Sequence, residues 1–209
     1  MAKVDDYFTA ADLTREDLRK REAGEVAEAA GAELVENPSG GFRIEIGFLG
    51  RTCVASWPEL IFSDIRSGKT LTPQEQVLVL HYLSGARGKS LAGKWISYQE
   101  IPDGRFYMDA FIRRAKNPLV GTFGEKPELL HDLAVSAYGA SSFDHGDVSV
   151  VFDAFPYVPL VFILWKGDDE FPPDGNILFD ESVALVLSAE DTAWLAGMAV
   201  YPLIGRAGS

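Results

Sequence analysis

Cysteine is almost absent from this sequence, since Cys53 is the only one in 209 residues. A single thiol excludes an internal disulfide framework, a CxxC redox motif and an iron–sulfur cluster held by this chain alone. Free cysteines are usually small packing residues, because thiol reactivity needs a cationic neighbourhood. We therefore predict that Cys53 is buried and unreactive.

Basic charge is also scarce. The chain has 19 lysines and arginines against 31 aspartates and glutamates, which gives a formal net charge of −12. Phosphate backbones need a basic footprint, so we expect no nucleic-acid partner. The same charge disfavours docking on an anionic membrane. It leaves open metal ions, cationic partners and a local basic patch at Arg113, Arg114 and Lys116.

Long hydrophobic runs are missing too. No apolar stretch reaches the length that a membrane span requires, and the opening residues MAKVDDYF contain no apolar signal-peptide core. These features predict a cytoplasmic protein without a membrane partner.

Helix and strand patterns alternate along the chain in mixed order, without a repeating β–α–β unit. This order is typical of the α+β class. We predict a flexible N-terminal arm over residues 1–13. It is followed by a single α+β domain over residues 14–209, in which helices pack an antiparallel or mixed sheet.

Capping residues indicate where the helices begin. Thr14 is expected to cap a helix that ends near Gly31, and Thr72 with Glu75 predicts a capping box. Ser188 is expected to cap the last helix. Further helices are predicted over 106–115 and 127–138, a β-hairpin over 42–56, and strands over 93–101, 147–153 and 158–165.

An acidic and aromatic stretch, residues 165–180, follows the apolar strand Val158–Trp165. We interpret it as a loop between buried elements, which is where binding residues often lie. Its carboxylates would engage a cation or a cationic group, and its two large aromatic side chains would supply apolar contact. The candidate ligand-binding residues are Trp165, Asp168, Asp169, Glu170, Phe171 and Asp180.

A divalent cation site is the alternative interpretation of these acids, because hard cations prefer several oxygen ligands. Asp147 would join Asp168, Asp169 and Glu170 as ligands, and His145 would act as general base on a bound water. The ligand spacing does not match an EF-hand loop, however. Asp180 also looks like a helix cap. A purely structural turn therefore stays open beside both interpretations.

Several short motifs carry a resemblance to a known family. They are Leu80-His81-Tyr82-Leu83, Trp95-Ile96-Ser97-Tyr98-Gln99-Glu100, Gly146-Asp147, Trp165 to Pro173, Ile177-Leu178-Phe179-Asp180 and Ala189-Glu190-Asp191. With them the chain resembles the bacterial and archaeal family of domain of unknown function 3786. The resemblance implies that the stretch from Trp165 to Asp180 is functional, without implying an activity.

Some relatives in that family carry a cysteine-rich iron–sulfur segment at the N-terminus, which implies a setting in anaerobic redox or one-carbon metabolism. This chain departs from that pattern, because its first 41 residues contain no cysteine. A redox role would therefore need a partner protein or a cofactor held without thiolates.

Two functional hypotheses follow. The first is a non-enzymatic binding or accessory domain that recognises a protein or small-molecule partner through residues 165–180. The second is a metal-dependent, hydrolase-like enzyme with His145 as its base. Their discriminator is spatial, since the enzyme needs His145 and the acids to converge.

Overall fold

A computed structural model describes residues 4–38, 40–89 and 91–208. Helices combine with two antiparallel sheets, so the predicted α+β class is confirmed. The chain forms two compact units. Unit one contains the residues up to 90 together with Phe155–Tyr157, and unit two contains 91–154 and 158–209. The prediction of one domain over residues 14–209 stays a prediction.

Unit one places helices beside a four-stranded sheet in the order β1-β2-β3-β4. Its elements are α1 Val4–Leu18, α2 Ala23–Ala30, β1 Glu33–Glu36, β2 Phe42–Phe48, β3 Arg51–Trp57, β4 Ser63–Asp64 and α3 Pro73–Gly85.

The predicted hairpin is formed by β2 and β3, and Ile46 lies opposite Cys53 in its register. Both side chains are buried. Burial raises the pKa of the Cys53 thiol to about 11, so the thiolate is scarce at neutral pH. The predicted burial of Cys53 is confirmed, and its unreactivity stays a prediction.

The start of unit one differs from the sequence prediction. Two helices, α1 and α2, replace the single helix expected from Thr14, and the Thr14 hydroxyl donates to the Ala10 carbonyl inside α1 at 2.9 Å. Amphipathic spacing continues across the break, which is why the pattern did not reveal it. Gly31 ends α2 as predicted, with a φ of 63°. The proposed flexible arm lies partly outside the described residues and remains a prediction.

Unit two contains a five-stranded sheet in the order β5-β9-β8-β7-β6. Its helices are α4 Gly104–Phe111, α5 Asn117–Phe123, α6 Pro127–Tyr138 and α7 Ala189–Ala207. Its strands are β5 Trp95–Ser97, β6 Ser141–Ser142, β7 Val148–Phe155, β8 Val158–Trp165 and β9 Asp174–Asp180. Short 3-10 helices cover Tyr98–Glu100 and Glu181–Leu185, and a π-helix covers Ile112–Lys116.

The stretch from 165 to 180 is not one loop, which corrects the sequence interpretation. Only residues 166–173 are irregular, because β9 begins at Asp174, which lies opposite Trp165 at the end of β8. The residues Asp174-Gly175-Asn176 favour a turn by local propensity. Pairing with the buried strand β8 overrides that preference.

Within the described residues, no helix is both long enough and apolar enough to cross a lipid bilayer.

Candidate functional site

Strand β9 is paired unequally on its two sides. On one side β8 pairs with it from Asp174 to Phe179. On the other side β5 reaches only Leu178–Asp180, because the chain leaves the sheet after Ser97. The Glu100 carboxylate accepts hydrogen bonds from the Ser97 amide and hydroxyl, at 2.8 and 2.7 Å, and fixes that exit.

Helix α4 is held close to the end of β5. A Cβ atom at Gly104 would overlap the Tyr98 carbonyl oxygen, so the close approach requires glycine. The Tyr98 ring stacks on Phe111 with centroids 4.2 Å apart, and its hydroxyl donates to the Ala189 carbonyl at 2.7 Å. Burial raises the pKa of Tyr98, so its hydroxyl stays a neutral donor.

A π-helix continues α4 and places the Ile112 and Lys116 side chains beside β9. The Asn117 amide donates to the Ile112 carbonyl, five residues earlier, as a π turn requires. Pro118 gives the physical reason, since it lacks an N–H group and its ring crowds the carbonyl of residue 114. Such turns inside helices are frequent at functional sites. Helix α7 supports the turn from outside, because Gly197 lets it approach Arg114.

These elements border a partly open cavity of about 310 Å³ beside the part of β9 that does not pair with β5. Its volume lies at the lower end of the range for small-molecule sites. The cavity is lined by Ser97, Tyr98, Gln99, Met108, Phe111, Ile112, Lys116, Trp165, Asp174, Gly175 and Asn176. The cavity therefore has aromatic and aliphatic walls and one polar end.

An ion pair forms that polar end. The Lys116 ammonium lies 3.0 Å from the Asp174 carboxylate, and their side chains are 32% and 64% exposed. Partial burial opposes ionisation of Asp174, but the Gly175 amide and Lys116 outweigh it and lower the pKa of this carboxyl group. The Asp174 carboxylate is thus ionised at neutral pH, and together with the Lys116 ammonium it can bind a polar group of a ligand.

Of the sequence-predicted binding residues, Trp165 lines this cavity and lies directly opposite Asp174 in the sheet. The acids of the irregular segment, residues 166–173, do not line it. Asp168 accepts hydrogen bonds from the Glu170 and Phe171 amides at 2.8 and 2.7 Å, and these bonds lower its pKa. Its carboxylate therefore organises a turn.

Asp169, Glu170 and Phe171 point into solvent around that turn, and Phe171 is 67% exposed. Pro173 packs tightly against Gly124 and Gly167, since a Cβ atom at either glycine would collide with the proline ring. This packing fixes the position of the segment. The acidic part of the candidate site is therefore a fixed but solvated surface.

Asp180 is buried, and its hydrogen bonds stabilise the local structure. Its carboxylate accepts hydrogen bonds from the Ala92 and Gly93 amides, each at 2.8 Å, and from the amide and hydroxyl of Ser182. Burial opposes its ionisation, but the hydrogen bonds led by the Ser182 hydroxyl outweigh it and lower the pKa. The predicted capping role of Asp180 is confirmed.

His145 and Asp147 lie in the turn before β7. The His145 ring meets the Trp165 ring edge to face with centroids 5.8 Å apart, and the Asp147 carboxylate accepts from the Lys166 amide at 2.8 Å. Across the part of the chain that the structure describes, no three His, Cys, Asp or Glu side chains are arranged to hold a metal ion. The acids named for a cation are thus not brought together.

Sequence reasoning missed the second side of the cavity, which α4 and the π-helix contribute. Lys116 was noted only as part of a basic patch. The available signal was Pro118, which follows directly on a helical pattern and marks an irregular turn. A second missed contact joins His131 to Ser142 at 3.1 Å and to Asp132 at 3.3 Å. It is exposed and lies outside the cavity lining.

Comparison with known proteins agrees with the resemblance found in the sequence. Searches of curated proteins and of solved structures found no significant match. A family model matches residues 22–201, a range that includes every residue lining the cavity. The chain therefore belongs to the family described as Domain of unknown function (DUF3786).

Proposed function

We propose that this chain is a ligand-binding domain whose site is the cavity between β9 and the π-helix. The observation that carries the proposal is the convergence of Trp165, Lys116 and Asp174 around one partly open cavity. These residues come from different elements of the sheet and the helical layer, as is usual in specific binding sites.

The lining indicates the kind of ligand. Apolar contact comes from Trp165, Met108, Phe111 and Ile112, which would cover a hydrophobic or planar group. The Lys116–Asp174 pair would orient a polar group at the other end. A ligand of this site is therefore small and amphipathic, and it carries at least one hydrogen-bonding group.

This proposal keeps the recognition hypothesis but moves its centre from the exposed acids to the cavity. We do not carry the metal-dependent hydrolase forward, because the carboxylates of Asp147 and Asp168 are engaged by backbone amides. A cytoplasmic location stays an expectation from composition. A role in anaerobic redox or one-carbon metabolism rests on the family resemblance alone.

A screen of small aromatic carboxylic acids and amides tests the proposal, with tryptophan fluorescence and thermal melting as readouts. We expect at least one compound to raise the melting temperature of the wild-type protein. Trp165→Leu and Lys116→Met should lose that shift, while Asp169→Asn, at the exposed turn, should retain it. A shift that is lost in Asp169→Asn but kept in both cavity variants would refute the proposal.

A further inference from the structure

We infer that the cavity binds a neutral planar amide, a ligand whose flat ring carries a hydrogen-bond donor and an acceptor side by side. This inference rests on the proposed function and names the ligand class of the same site. It follows from which polar side chains along the cavity already have partners and which are free. A ligand has to match the groups that remain, because a polar group buried without a partner costs free energy.

Most polar side chains along the cavity are engaged within the protein. The Ser97 and Tyr98 hydroxyls donate to other protein groups, each at 2.7 Å. The Lys116 ammonium lies 3.0 Å from the Asp174 carboxylate. These groups have their hydrogen bonds before any ligand arrives, so they do not set its chemistry.

The ion pair also bears on the charge of the ligand. Among the lining residues that the structure describes, Lys116 and Asp174 alone are charged, and together they carry no net charge. An anion or a cation in the cavity would lose part of its hydration without gaining a free counter-charge. The lining therefore favours a neutral ligand.

The carboxamides of Asn176 and Gln99 remain for a ligand, and both residues line the cavity. The Asn176 side-chain oxygen accepts from the Ile177 amide at 2.9 Å, which leaves the Nδ2 group as its free end. Within the described part of the chain, neither this Nδ2 group nor the Gln99 carboxamide has a hydrogen-bond partner. Asn176 is half-buried and Gln99 is exposed. Asn176 therefore offers a donor, and Gln99 offers a donor and an acceptor.

The group complementary to these side chains is the edge of an amide. A carboxamide side chain can form two hydrogen bonds with a planar group that presents an acceptor beside a donor, as Asn and Gln do with adenine. Apolar contact beside this edge comes from Trp165, Met108 and Ile112, which suits a flat ring. Aromatic primary amides and cyclic amides share the edge, so both belong to the inferred class.

Four compounds built on the same benzene ring test the inference. Benzamide is neutral and carries both donor and acceptor, acetophenone keeps only the acceptor, benzoate is an anion, and benzamidine is a cation. Each is titrated at millimolar concentration into the full chain, and the side-chain amide NMR signals of Asn176 and Gln99 are followed. We expect benzamide to shift both signals and to bind about tenfold more tightly than each of the other three.

Uracil carries the same edge within its ring and separates the two sources of the amide. Binding at least as tight as that of benzamide identifies a cyclic amide as the ligand, and weaker binding identifies a primary amide.

Substitutions assign the hydrogen bonds to the side chains. Asn176→Asp keeps an acceptor for the Ile177 amide but replaces the donor with a negatively charged oxygen, so benzamidine should then bind more tightly than benzamide. Gln99→Met, at an exposed position, should weaken benzamide binding about tenfold without changing that order. Gln74→Met is the matched control, because Gln74 does not line the cavity, and it should leave binding unchanged.

Equal or tighter binding of acetophenone, benzoate or benzamidine by the wild-type chain would overturn the inference. Unchanged benzamide binding in Gln99→Met would overturn it as well. If the amides fail to bind while the aromatic carboxylic acids shift cavity signals, the inference falls and the proposed function stands. If neither class of compound binds, both proposals fall.

Discussion

Two parts of the stretch from Trp165 to Asp180, the turn before β9 and the start of β9, use their carboxylates differently. In the turn before β9, Asp168 binds the amides of Glu170 and Phe171, while Asp169 and Glu170 project into solvent. At the start of β9, Asp174 pairs with Lys116, a residue 58 positions earlier in the chain, beside a partly open cavity. The acidic residues are most closely spaced in the turn. The cavity, however, forms beside the strand, where side chains from distant parts of the chain meet.

This difference shows why a dense cluster of acids is a poor guide to a site. Asp and Gly are common in turns because their side chains and backbone freedom stabilise turns. A binding site needs side chains from several elements to enclose a volume. Only Trp165, among the residues selected from the sequence, contributes to such a volume here.

The largest effect on stability is expected at Asp180, whose buried carboxylate contrasts with the solvated acids of the turn. Asp180→Ala removes the acceptor of the Ala92, Gly93 and Ser182 hydrogen bonds inside a buried site. We expect the free energy of unfolding to fall by about 3 kcal/mol, measured by urea denaturation. Asp169→Ala is the control, because Asp169 is exposed, and it should change little. Similar effects of both changes would contradict the contrast between buried and solvated acids.

The Asp180 contribution should also depend on pH. Because the folded state lowers its pKa, the stabilisation is fully present above the ordinary value of about 3.9 and is lost as the pH falls through the folded value. The difference between wild type and Asp180→Ala should therefore be constant from about pH 5 to 8 and shrink only in acid. A difference that changes near neutral pH would require another titrating group.

The two aromatic residues of the stretch give the next largest contrast. Trp165 is half-buried against the turn at Gly146 and lines the cavity, whereas Phe171 is 67% exposed. We expect Trp165→Ala to cost about 2 kcal/mol of stability and to abolish ligand binding, and Phe171→Ala to cost less than about 0.5 kcal/mol. Equal losses of binding would move recognition back to the exposed turn.

The smallest effect on stability is expected at Lys116. Its ion pair with Asp174 is partly exposed, so Lys116→Met should change the free energy of unfolding by less than about 1 kcal/mol. The same change should raise the pKa of Asp174 toward its ordinary value, because a neighbouring positive charge is removed. NMR titration of the side-chain carboxyl carbon measures this pKa. Lys166→Met, at an exposed position, is the matched control.

Sequence patterns predicted the elements whose signals are local. The Thr72 capping box, the Ser188 cap, the strand pair over 42–56 and the helix over 127–138 are present as expected. These features depend on hydrogen bonds between residues a few positions apart. Burial of Cys53 was expected from the usual packing role of free cysteines and is observed.

The cavity could not be predicted in that way. Its residues are separated by up to 79 positions, from Ser97 to Asn176. They meet because β9 pairs with both β8 and β5 and because α4 and the π-helix pack beside β9. The turn-forming residues Asp174 and Gly175 concealed that strand. The π-helix was hidden as well, because the helical pattern over 106–115 does not distinguish a π turn from an α turn.

Chemical-shift mapping of the amide NMR spectrum with the aromatic acids and amides tests the central claim most directly. We predict that shifts cluster at Ser97, Lys116, Gly175, Asn176 and the Trp165 indole. Shifts that cluster instead at Asp168, Asp169, Glu170 and Phe171 would contradict the account and make the acidic turn the recognition surface.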